Sequence, residues 1–176
     1  MKIFLDVDGV LADFEKHLLD IYKIDINTIN KDEIPWDYIG YEFYSTIPIF
    51  DGAKNFYKTI SDLYNVYILS GTILTPGCYS GKAEWIKTVL GDNLYDLRKV
   101  IFCLSKNKKL LAAPGRILID DFGRNINEWI QEGGIGIKIL NKPTNKTWNN
   151  LLDFLDTSKI RSYKCDEFEC FNPDPY

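Results

Sequence analysis

The stretch FLDVDGVLADF, residues 4–14, places two aspartates at the end of a short apolar run. Residues 3–7 have the apolar character of a buried β-strand, so Asp6 and Asp8 fall at its carboxyl end, and Gly9 lets the backbone turn sharply behind them. Carboxylates this close together repel each other. Either a cation lies between them, or the pair belongs to a turn that Asx hydrogen bonds stabilise.

Outward from this stretch, strands and helices alternate along the chain. Hydrophobic patterning predicts four more strands, at residues 66–69, 100–104, 117–119 and 135–140. It predicts helices at residues 12–22, 53–63, 82–90, 126–130 and 148–155. This alternation is typical of an α/β fold with a parallel central sheet covered by helices on both faces, and Trp85 and Trp129 are expected in its core.

The chain is expected to form one domain with a small insertion. Its 176 residues suffice for a substantial hydrophobic core. We assign residues 1–15 and 51–158 to the core domain, residues 16–50 to a small cap inserted after the first strand, and residues 159–176 to a C-terminal tail.

Charge and composition argue against several classes of partner. The formal net charge is −4, and the sequence has no basic block of the kind that grips duplex nucleic acid. The first apolar run is far too short to span a membrane, so we expect a cytoplasmic protein without a membrane partner. In that compartment the four cysteines are expected to be reduced thiols, namely Cys78, Cys103, Cys165 and Cys170.

Polar residues also follow two other predicted strands. Ser70-Gly71-Thr72 comes after the second strand, and Asp120-Asp121 comes after the fourth. The carboxyl ends of parallel strands meet at one edge of a sheet, and ligands bind there. Taken alone, Asp120-Asp121 is more often a loop or a helix N-cap, and Ser70-Gly71-Thr72 is usually a turn. The common position of the motifs at strand ends favours a single site.

The chemistry expected of such a site is phosphoryl transfer. Converging carboxylates require a hard cation, and Mg²⁺ prefers carboxylates, water and substrate phosphate as ligands. Asp6 is placed to attack phosphorus, and Asp8 can carry a proton to the leaving oxygen. A hydroxyl of Ser70 or Thr72, backbone N–H groups near Gly71 and a lysine would hold the phosphate.

The motifs DVDGV, ILSGT and ILIDD, each at a strand end, resemble those of the haloacid dehalogenase (HAD) superfamily over roughly residues 1–155. The resemblance implies a HAD-like Rossmannoid three-layer sandwich with a small helical cap after strand 1. Phosphatases and mutases of the superfamily carry a second aspartate where Asp8 stands here, and its ATPases and dehalogenases usually do not. The segments DVDGVLADFE, IPIFDGA, GKAEWIKTVLG and ILIDDFGRNINEWIQEGGIGI are similar to the 5'(3')-deoxyribonucleotidase family, including its bacterial and phage members. Those enzymes use Mg²⁺ to remove phosphate from deoxyribonucleoside monophosphates.

This second resemblance implies a role for each motif residue. Asp6 would be the nucleophile and Asp8 the general acid and base. The Mg²⁺ ligands would be the Asp6 carboxylate, the Asp8 backbone carbonyl and Asp121, with Asp120 as an outer partner or an alternate ligand. Ser70 would hold the phosphoryl oxygens.

The family also has a lysine ahead of the Asp-Asp strand, which neutralises the charge of the phosphoryl group. The segment SKNKKLL offers Lys106, Lys108 and Lys109, and the spacing to Asp120 favours Lys108. Lys82 is a rival, although its place at the start of a predicted helix suits surface exposure or a supporting contact.

Aromatic residues are candidates to bind a nucleotide base. Phe14 matches a position that touches the substrate in the family, and Trp36 and Tyr44 of the cap are further candidates. Stacking on a base is worth about 1–3 kcal/mol. Packing within a small cap core is the commoner role of cap aromatics, a set that also includes Tyr38 and Phe43. We expect His17, the only histidine, to pack or to lie at the surface rather than to act in catalysis.

The function expected from these patterns is a Mg²⁺-dependent phosphomonoesterase that acts on deoxyribonucleoside or ribonucleoside monophosphates. One alternative is a phosphatase of the same superfamily for a polynucleotide 3' end or a sugar phosphate, and the acidic charge balance argues against the polynucleotide. The other alternative is a non-catalytic HAD-like binding module, and the presence of both Asp6 and Asp8 argues against it.

Overall fold

A computed structural model of the protein describes residues 1–30, 33–91, 99–156 and 160–173. Across these ranges the chain forms a seven-stranded sheet with the order β3-β2-β1-β4-β5-β7-β6. The strands are β1 (Lys2–Leu5), β2 (Asn65–Gly71), β3 (Val100–Cys103), β4 (Arg116–Asp120), β5 (Ile135–Ile139), β6 (Tyr163–Lys164) and β7 (Phe168–Phe171). Strands β1 to β5 are parallel, and β6 and β7 are antiparallel.

Helices cover the sheet, which has an apolar cluster on each of its faces. They are α1 (Phe14–Tyr22), α2 (Tyr41–Ser45), α3 (Ala53–Leu63), α4 (Pro76–Trp85), α5 (Gly123–Gln131) and α6 (Asn145–Leu155). Ile3 and Leu5 of β1 point into the larger cluster, whereas Phe4 packs with Leu118 and Trp129 in the smaller one. The sheet is therefore the middle of three layers, which confirms the predicted fold class. None of the helices in the described ranges combines the length and the hydrophobicity that crossing a bilayer requires.

The fourth helix begins earlier than the sequence pattern predicts. It starts at Pro76 rather than at residue 82, because Thr75-Pro76 puts a proline at the first helical position, where its fixed φ and missing N–H suit a helix start. A π-helical turn, Ile86–Leu90, continues it. Lys82 therefore lies in the middle of the helix rather than at its start, and it is only 2% exposed. Of the two alternatives expected for Lys82, surface exposure is wrong, and the structure shows a buried side chain in contact with other residues.

Two strands absent from the prediction come from the segment that the sequence treats as a tail. Strand β7 pairs with β5 between Gly136↔Phe171 and Ile139↔Phe168. Phe168 and Cys170 alternate inward and are buried in the larger cluster. This alternation covers only four residues, which is too short a pattern to identify a strand from sequence.

Phe43 and Tyr44 of α2 join the apolar cluster that covers β1. Helix α2 approaches α4 closely at two glycines. A Cβ at Gly77 would lie 2.8 Å from the backbone nitrogen of Tyr41, and a Cβ at Gly81 would lie 2.6 Å from its carbonyl oxygen. Glycine at both positions thus allows the two backbones to meet.

Candidate active site

The site is built on the turn that follows β1. The backbone N–H of Asp6 donates to the carbonyl of Ile119 at 3.0 Å, which continues the pairing of β1 with β4. Oδ1 of Asp6 then accepts from the N–H of Val7 at 2.8 Å, which fixes the orientation of its carboxylate. Gly9 has a φ of +72°, and a Cβ there would overlap the carboxylate of Asp121. The turn therefore carries the chain directly against the end of β4, and only glycine fits.

Lys108 is the cation in contact with Asp6. Its Nζ lies 2.7 Å from Oδ2 of Asp6 and 2.7 Å from Oδ2 of Asp120. Burial lowers the pKa of Lys108, but the charges of these two carboxylates outweigh it and raise the pKa above its ordinary value. Of the other two candidate lysines, Lys106 is exposed and Lys109 reaches Glu128 at 3.7 Å. Among the three, Lys108 is the one that the fold brings to the aspartates.

Three carboxylates could hold a metal ion. Asp6, Asp120 and Asp121 each offer one oxygen, and these oxygens lie within 4.8 Å of one another. Burial and the charges of Asp6 and Asp120 raise the pKa of Asp121 to about 8. Burial and Asp6 also raise the pKa of Asp120 to about 6, although Lys108 opposes this. A hard divalent cation would relieve this repulsion, so the three residues fit Mg²⁺.

The carboxylate of Asp8 faces a different cation, Lys82. Its Oδ2 accepts a hydrogen bond from Nζ of Lys82, and its Oδ1 is buried without a hydrogen-bond partner in the described part of the chain. Burial raises the pKa of Asp8 and the charge of Lys82 lowers it, with a net rise. Asp6 and Asp8 are thus neighbours in sequence that point to separate lysines.

The Ser70-Gly71-Thr72 motif lies at the end of β2, as predicted. Ser70 is completely buried, and its Oγ accepts from Nζ of Lys82 at 3.1 Å. The N–H and Oγ1 of Thr72 both donate to the carbonyl of Cys103, at 2.8 Å and 3.3 Å. Gly71 and Thr72 line the cavity described next, whereas Ser70 lies behind them. Gly71 and Thr72 are therefore accessible from the cavity, whereas Ser70 is not among its lining residues.

A cavity of about 510 Å³ opens over these groups. It is lined by most of the predicted site residues, namely Asp6, Asp8, Phe14, Trp36, Tyr44, Gly71, Thr72, Lys108 and Asp121. The rings of Phe14 and Trp36 stack with their centroids 6.3 Å and their planes 24° apart. Asp120, like Ser70, is completely buried and contacts the cavity residues from behind. The acidic, phosphate-binding and aromatic candidates therefore meet in one place.

Polar residues that the prediction did not place in the site also line this cavity, among them Lys82, Ser105 and Asn125. Nδ2 of Asn125 donates to Oδ2 of Asp120 at 2.9 Å, and Oγ of Ser105 donates to Oδ1 of Asn125 at 2.9 Å. The available signal for Asn125 was its position in the first turn of the helix that follows Asp120. For Lys82, the available signal was Pro76, because a proline favours the first position of a helix and would have placed Lys82 inside the helix rather than at its start.

His17 packs within the inserted segment. It is buried, its ring lies 4.7 Å from that of Phe43, and its Nε2 lies 3.2 Å from Oγ1 of Thr46. Burial lowers its pKa. His17 is not among the residues that line the cavity, which agrees with a packing role.

Comparisons with known proteins show which proteins the chain is similar to. The chain is 25% identical over 178 residues to the 5'(3')-deoxyribonucleotidase of Bacillus subtilis (strain 168), an alignment that covers 90% of this chain and 95% of that protein. A protein of the same name from Bacillus phage SPbeta matches with the same identity and coverage. The crystal structure of a haloacid dehalogenase-like family hydrolase from Xanthomonas campestris matches with a TM-score of 0.55 and 16% identity, over 89% of this chain and 91% of that one. No protein-family model matches the chain.

The fold is that of the haloacid dehalogenase-like hydrolases, a Rossmannoid α/β sandwich. Within that fold, the chain resembles the 5'(3')-deoxyribonucleotidases over nearly its whole length.

Proposed function

We propose that this protein is a Mg²⁺-dependent phosphomonoesterase that hydrolyses nucleoside monophosphates through a phosphorylated Asp6. One observation carries the proposal. The carboxylate of Asp6 lies in the cavity beside a buried lysine and two further aspartates, whereas the carboxylate of Asp8 is held apart from it by a second lysine. A pair of carboxylates in unlike environments suits one nucleophile and one proton carrier.

In the first step, an oxygen of Asp6 attacks the phosphorus atom. The bond from Asp6 to phosphorus forms as the bond from phosphorus to the ester oxygen breaks. Asp8, in its protonated form, gives its proton to that ester oxygen, so that the nucleoside leaves as a neutral alcohol. The positive charge of Lys108, 2.7 Å from Asp6, stabilises the phosphoryl oxygens.

In the second step, water attacks the phosphorus atom of phosphorylated Asp6. The carboxylate of Asp8 takes one proton from that water, and the bond between Asp6 and phosphorus breaks. Inorganic phosphate leaves, and both aspartates return to their starting protonation states. Asp8 thus gives up one proton in the first step and regains one in the second, so its protonation state is unchanged over the whole reaction.

Asp6 and Asp121, with the backbone carbonyl of Asp8, are the proposed ligands of Mg²⁺, and Asp120 supports them from behind. The ion would neutralise charge on the phosphoryl group and on these carboxylates. The spacing of the carboxylate oxygens of Asp6, Asp120 and Asp121, within 4.8 Å, supports this assignment.

The substrate class follows from the apolar side of the cavity. Phe14 and Trp36 present stacked aromatic rings, and Tyr44 also lines the cavity. Flat aromatic surfaces suit a nucleobase. The similarity to proteins named 5'(3')-deoxyribonucleotidase supports deoxyribonucleoside monophosphates as the preferred substrates. The proposed location is the cytoplasm, a compartment in which free cysteines such as these four remain reduced.

The test is phosphate release from a panel of 5'- and 3'-monophosphates of deoxyribonucleosides and ribonucleosides, together with sugar phosphates and a 3'-phosphorylated oligonucleotide. Each is measured with Mg²⁺ and with chelator. The variants are Asp6→Asn and, as a matched control, Asp20→Asn, which alters an exposed carboxylate on α1.

Mg²⁺-dependent release that favours deoxyribonucleotides, lost in Asp6→Asn and kept in Asp20→Asn, would support the proposal. Release only from sugar phosphates or the oligonucleotide would reject the substrate class and keep the mechanism. No release from any compound would favour a binding module instead.

A further inference from the structure

Lys82 is a buried cation whose role the proposed reaction leaves open. It lies in the middle of α4, 2% exposed, and its Nζ contacts groups from two different strand ends. It donates to Oδ2 of Asp8, to Oγ of Ser70 at 3.1 Å and to the carbonyl oxygen of Gly71 at 2.6 Å. Its Nζ also lies 5.6 Å from the centre of the Tyr44 ring. Burying a lysine is costly unless each donor finds a partner, so this position has a specific purpose.

Lys82 and Lys108 differ in how many of their N–H donors are already used by protein acceptors. An ammonium group has three N–H donors. Those of Lys82 already have three protein acceptors, in Asp8, Ser70 and Gly71. Lys108 contacts two carboxylates, Asp6 and Asp120, so one of its donors remains for a phosphoryl oxygen within the described structure. The two lysines are therefore not equivalent, although both line the cavity.

Asp8 in turn depends on Lys82 for its orientation. The buried Oδ1 of Asp8 has no hydrogen-bond partner among the residues that the structure describes, so the link from Oδ2 to Lys82 is what fixes the carboxylate. Lys82 is itself fixed because the preceding residue, Gly81, packs against α2. A Cβ at Gly81 would lie 2.6 Å from the Cβ of Tyr44.

We infer that Lys82 is a positioning residue that aims the carboxyl group of Asp8 at the ester oxygen, rather than a ligand of the phosphate. The inference rests on the proposed function, because it requires Asp8 to protonate the leaving group. Without Lys82, the Asp8 side chain would be free to turn away, and leaving groups that need a proton would suffer most. Leaving groups that depart readily as anions would be affected least.

The experiment compares wild type with Lys82→Met on a graded series of phosphate esters. The series runs from p-nitrophenyl phosphate, whose leaving group needs no proton, through phenyl phosphate to an alkyl phosphate. We expect kcat/KM to fall about 10²–10³-fold for the alkyl ester and less than about tenfold for p-nitrophenyl phosphate, which reflects the loss of general acid catalysis. Lys87→Met, which removes an exposed lysine one turn further on, is the matched control and should leave the series unchanged.

A double-mutant cycle tests whether Lys82 acts through Asp8. We expect Lys82→Met to lower kcat/KM for the alkyl phosphate by less than about threefold in an Asp8→Asn background, because the group that Lys82 positions is already disabled. If Lys82→Met does not fold, as judged by circular dichroism and a thermal melt, Lys82→Gln replaces it in both experiments.

Equal losses across the ester series, or fully multiplicative losses in the cycle, would overturn the inference and make Lys82 a phosphate ligand or a purely structural residue. The ester series does not depend on nucleotide preference. A wild type that hydrolyses the esters but not nucleotides would therefore remove only the substrate proposal. A wild type that hydrolyses none of them would overturn the proposed function and this inference together.

Discussion

Nζ of Lys108 lies 2.7 Å from Oδ2 of Asp6, and both side chains are almost completely buried. Lys108 comes from the 3₁₀ helix Ser105–Leu111 that follows β3, and Asp6 comes directly after β1. In the sheet, β2 lies between β1 and β3. The strand order therefore brings the ammonium group of Lys108 next to the carboxylate of Asp6, although the two residues are far apart in the sequence. The contact holds the Asp6 carboxylate in one orientation and leaves a positive charge where a phosphoryl group would bind.

Replacing Lys108, a buried residue, should strongly reduce phosphatase activity. Lys108→Met removes the positive charge next to Asp6, and we expect kcat to fall at least about 10²-fold because charge on the phosphoryl oxygens is no longer stabilised. The measurement is steady-state phosphate release, with folding checked by circular dichroism. Lys106→Met, which alters an exposed lysine in the same turn, is the control. An equal loss in the control would refute the assignment of Lys108.

Asp121 should destabilise the metal-free protein at neutral pH. Its pKa is raised to about 8 by burial and by Asp6 and Asp120, so the folded state holds this proton more tightly than the unfolded state. The contribution of Asp121 to stability is therefore present at low pH and is lost as the pH rises through 8. With chelator at pH 8.5, Asp121→Asn should raise the Tm by about 2–4 °C.

The same Asp121→Asn variant should lose the stabilisation that Mg²⁺ gives the wild type, because it removes a proposed ligand. The difference in Tm between variant and wild type should shrink at pH 5, where the wild-type carboxyl group is protonated. A variant that melts below wild type at pH 8.5, or that keeps its response to Mg²⁺, would contradict this account.

Alanine substitutions at Gly9 and Gly115 can distinguish the cost of backbone strain from damage to the site. Both have a positive φ, +72° and +74°, but a Cβ at Gly9 would overlap Asp121 whereas a Cβ at Gly115 meets nothing within 4 Å. Each alanine substitution should cost about 1–2 kcal/mol from the left-handed backbone. Gly9→Ala should in addition lose Mg²⁺-dependent activity, and Gly115→Ala should keep it. Chemical denaturation and phosphate release measure the two effects, and equal activity in both variants would argue against the role given to Gly9.

The stacked pair of Phe14 and Trp36 should provide the preference for a base. Phe14→Ala and Trp36→Ala should each raise KM for a deoxyribonucleotide by about 5- to 150-fold, which corresponds to the ~1–3 kcal/mol of a stacked base. Deoxyribose 5-phosphate, which lacks the base, should be affected little. Tyr38→Ala, in the same turn as Trp36 but 83% exposed, should behave as wild type. If the variants lost equal activity toward the nucleotide and toward the sugar phosphate, the aromatic pair would have a packing role in the cap rather than a role in binding the base.

Much of this site could be predicted because its parts lie at strand ends. Asp6, Gly71, Thr72 and Asp121 follow or end strands with clear apolar patterns, and a parallel sheet gathers such ends at one edge. Lys108 was predicted because the family that the chain resembles has a lysine ahead of the Asp-Asp strand, and the spacing to Asp120 favoured Lys108 over Lys106 and Lys109. These residues depend on topology, which the pattern of strands and helices determines.

The rest depends on packing that local pattern does not encode. Lys82 was assigned to a helix start because the apolar pattern begins near it, whereas the helix begins at Pro76 and buries the lysine against Asp8. Strand β7 has a four-residue pattern and is recognisable only through its pairing with β5. Asn125 donates a hydrogen bond to Asp120, and this contact depends on the conformation of the turn between them, which the local sequence pattern does not specify.

Trapping the phosphorylated enzyme would show directly whether Asp6 is the nucleophile. Protein is mixed with a ³²P-labelled deoxyribonucleotide and Mg²⁺, quenched in acid within milliseconds, and digested to map the label. We predict label on Asp6 that hydroxylamine removes and that is absent in Asp6→Asn. Label on another residue, or sustained turnover by Asp6→Asn, would contradict the account.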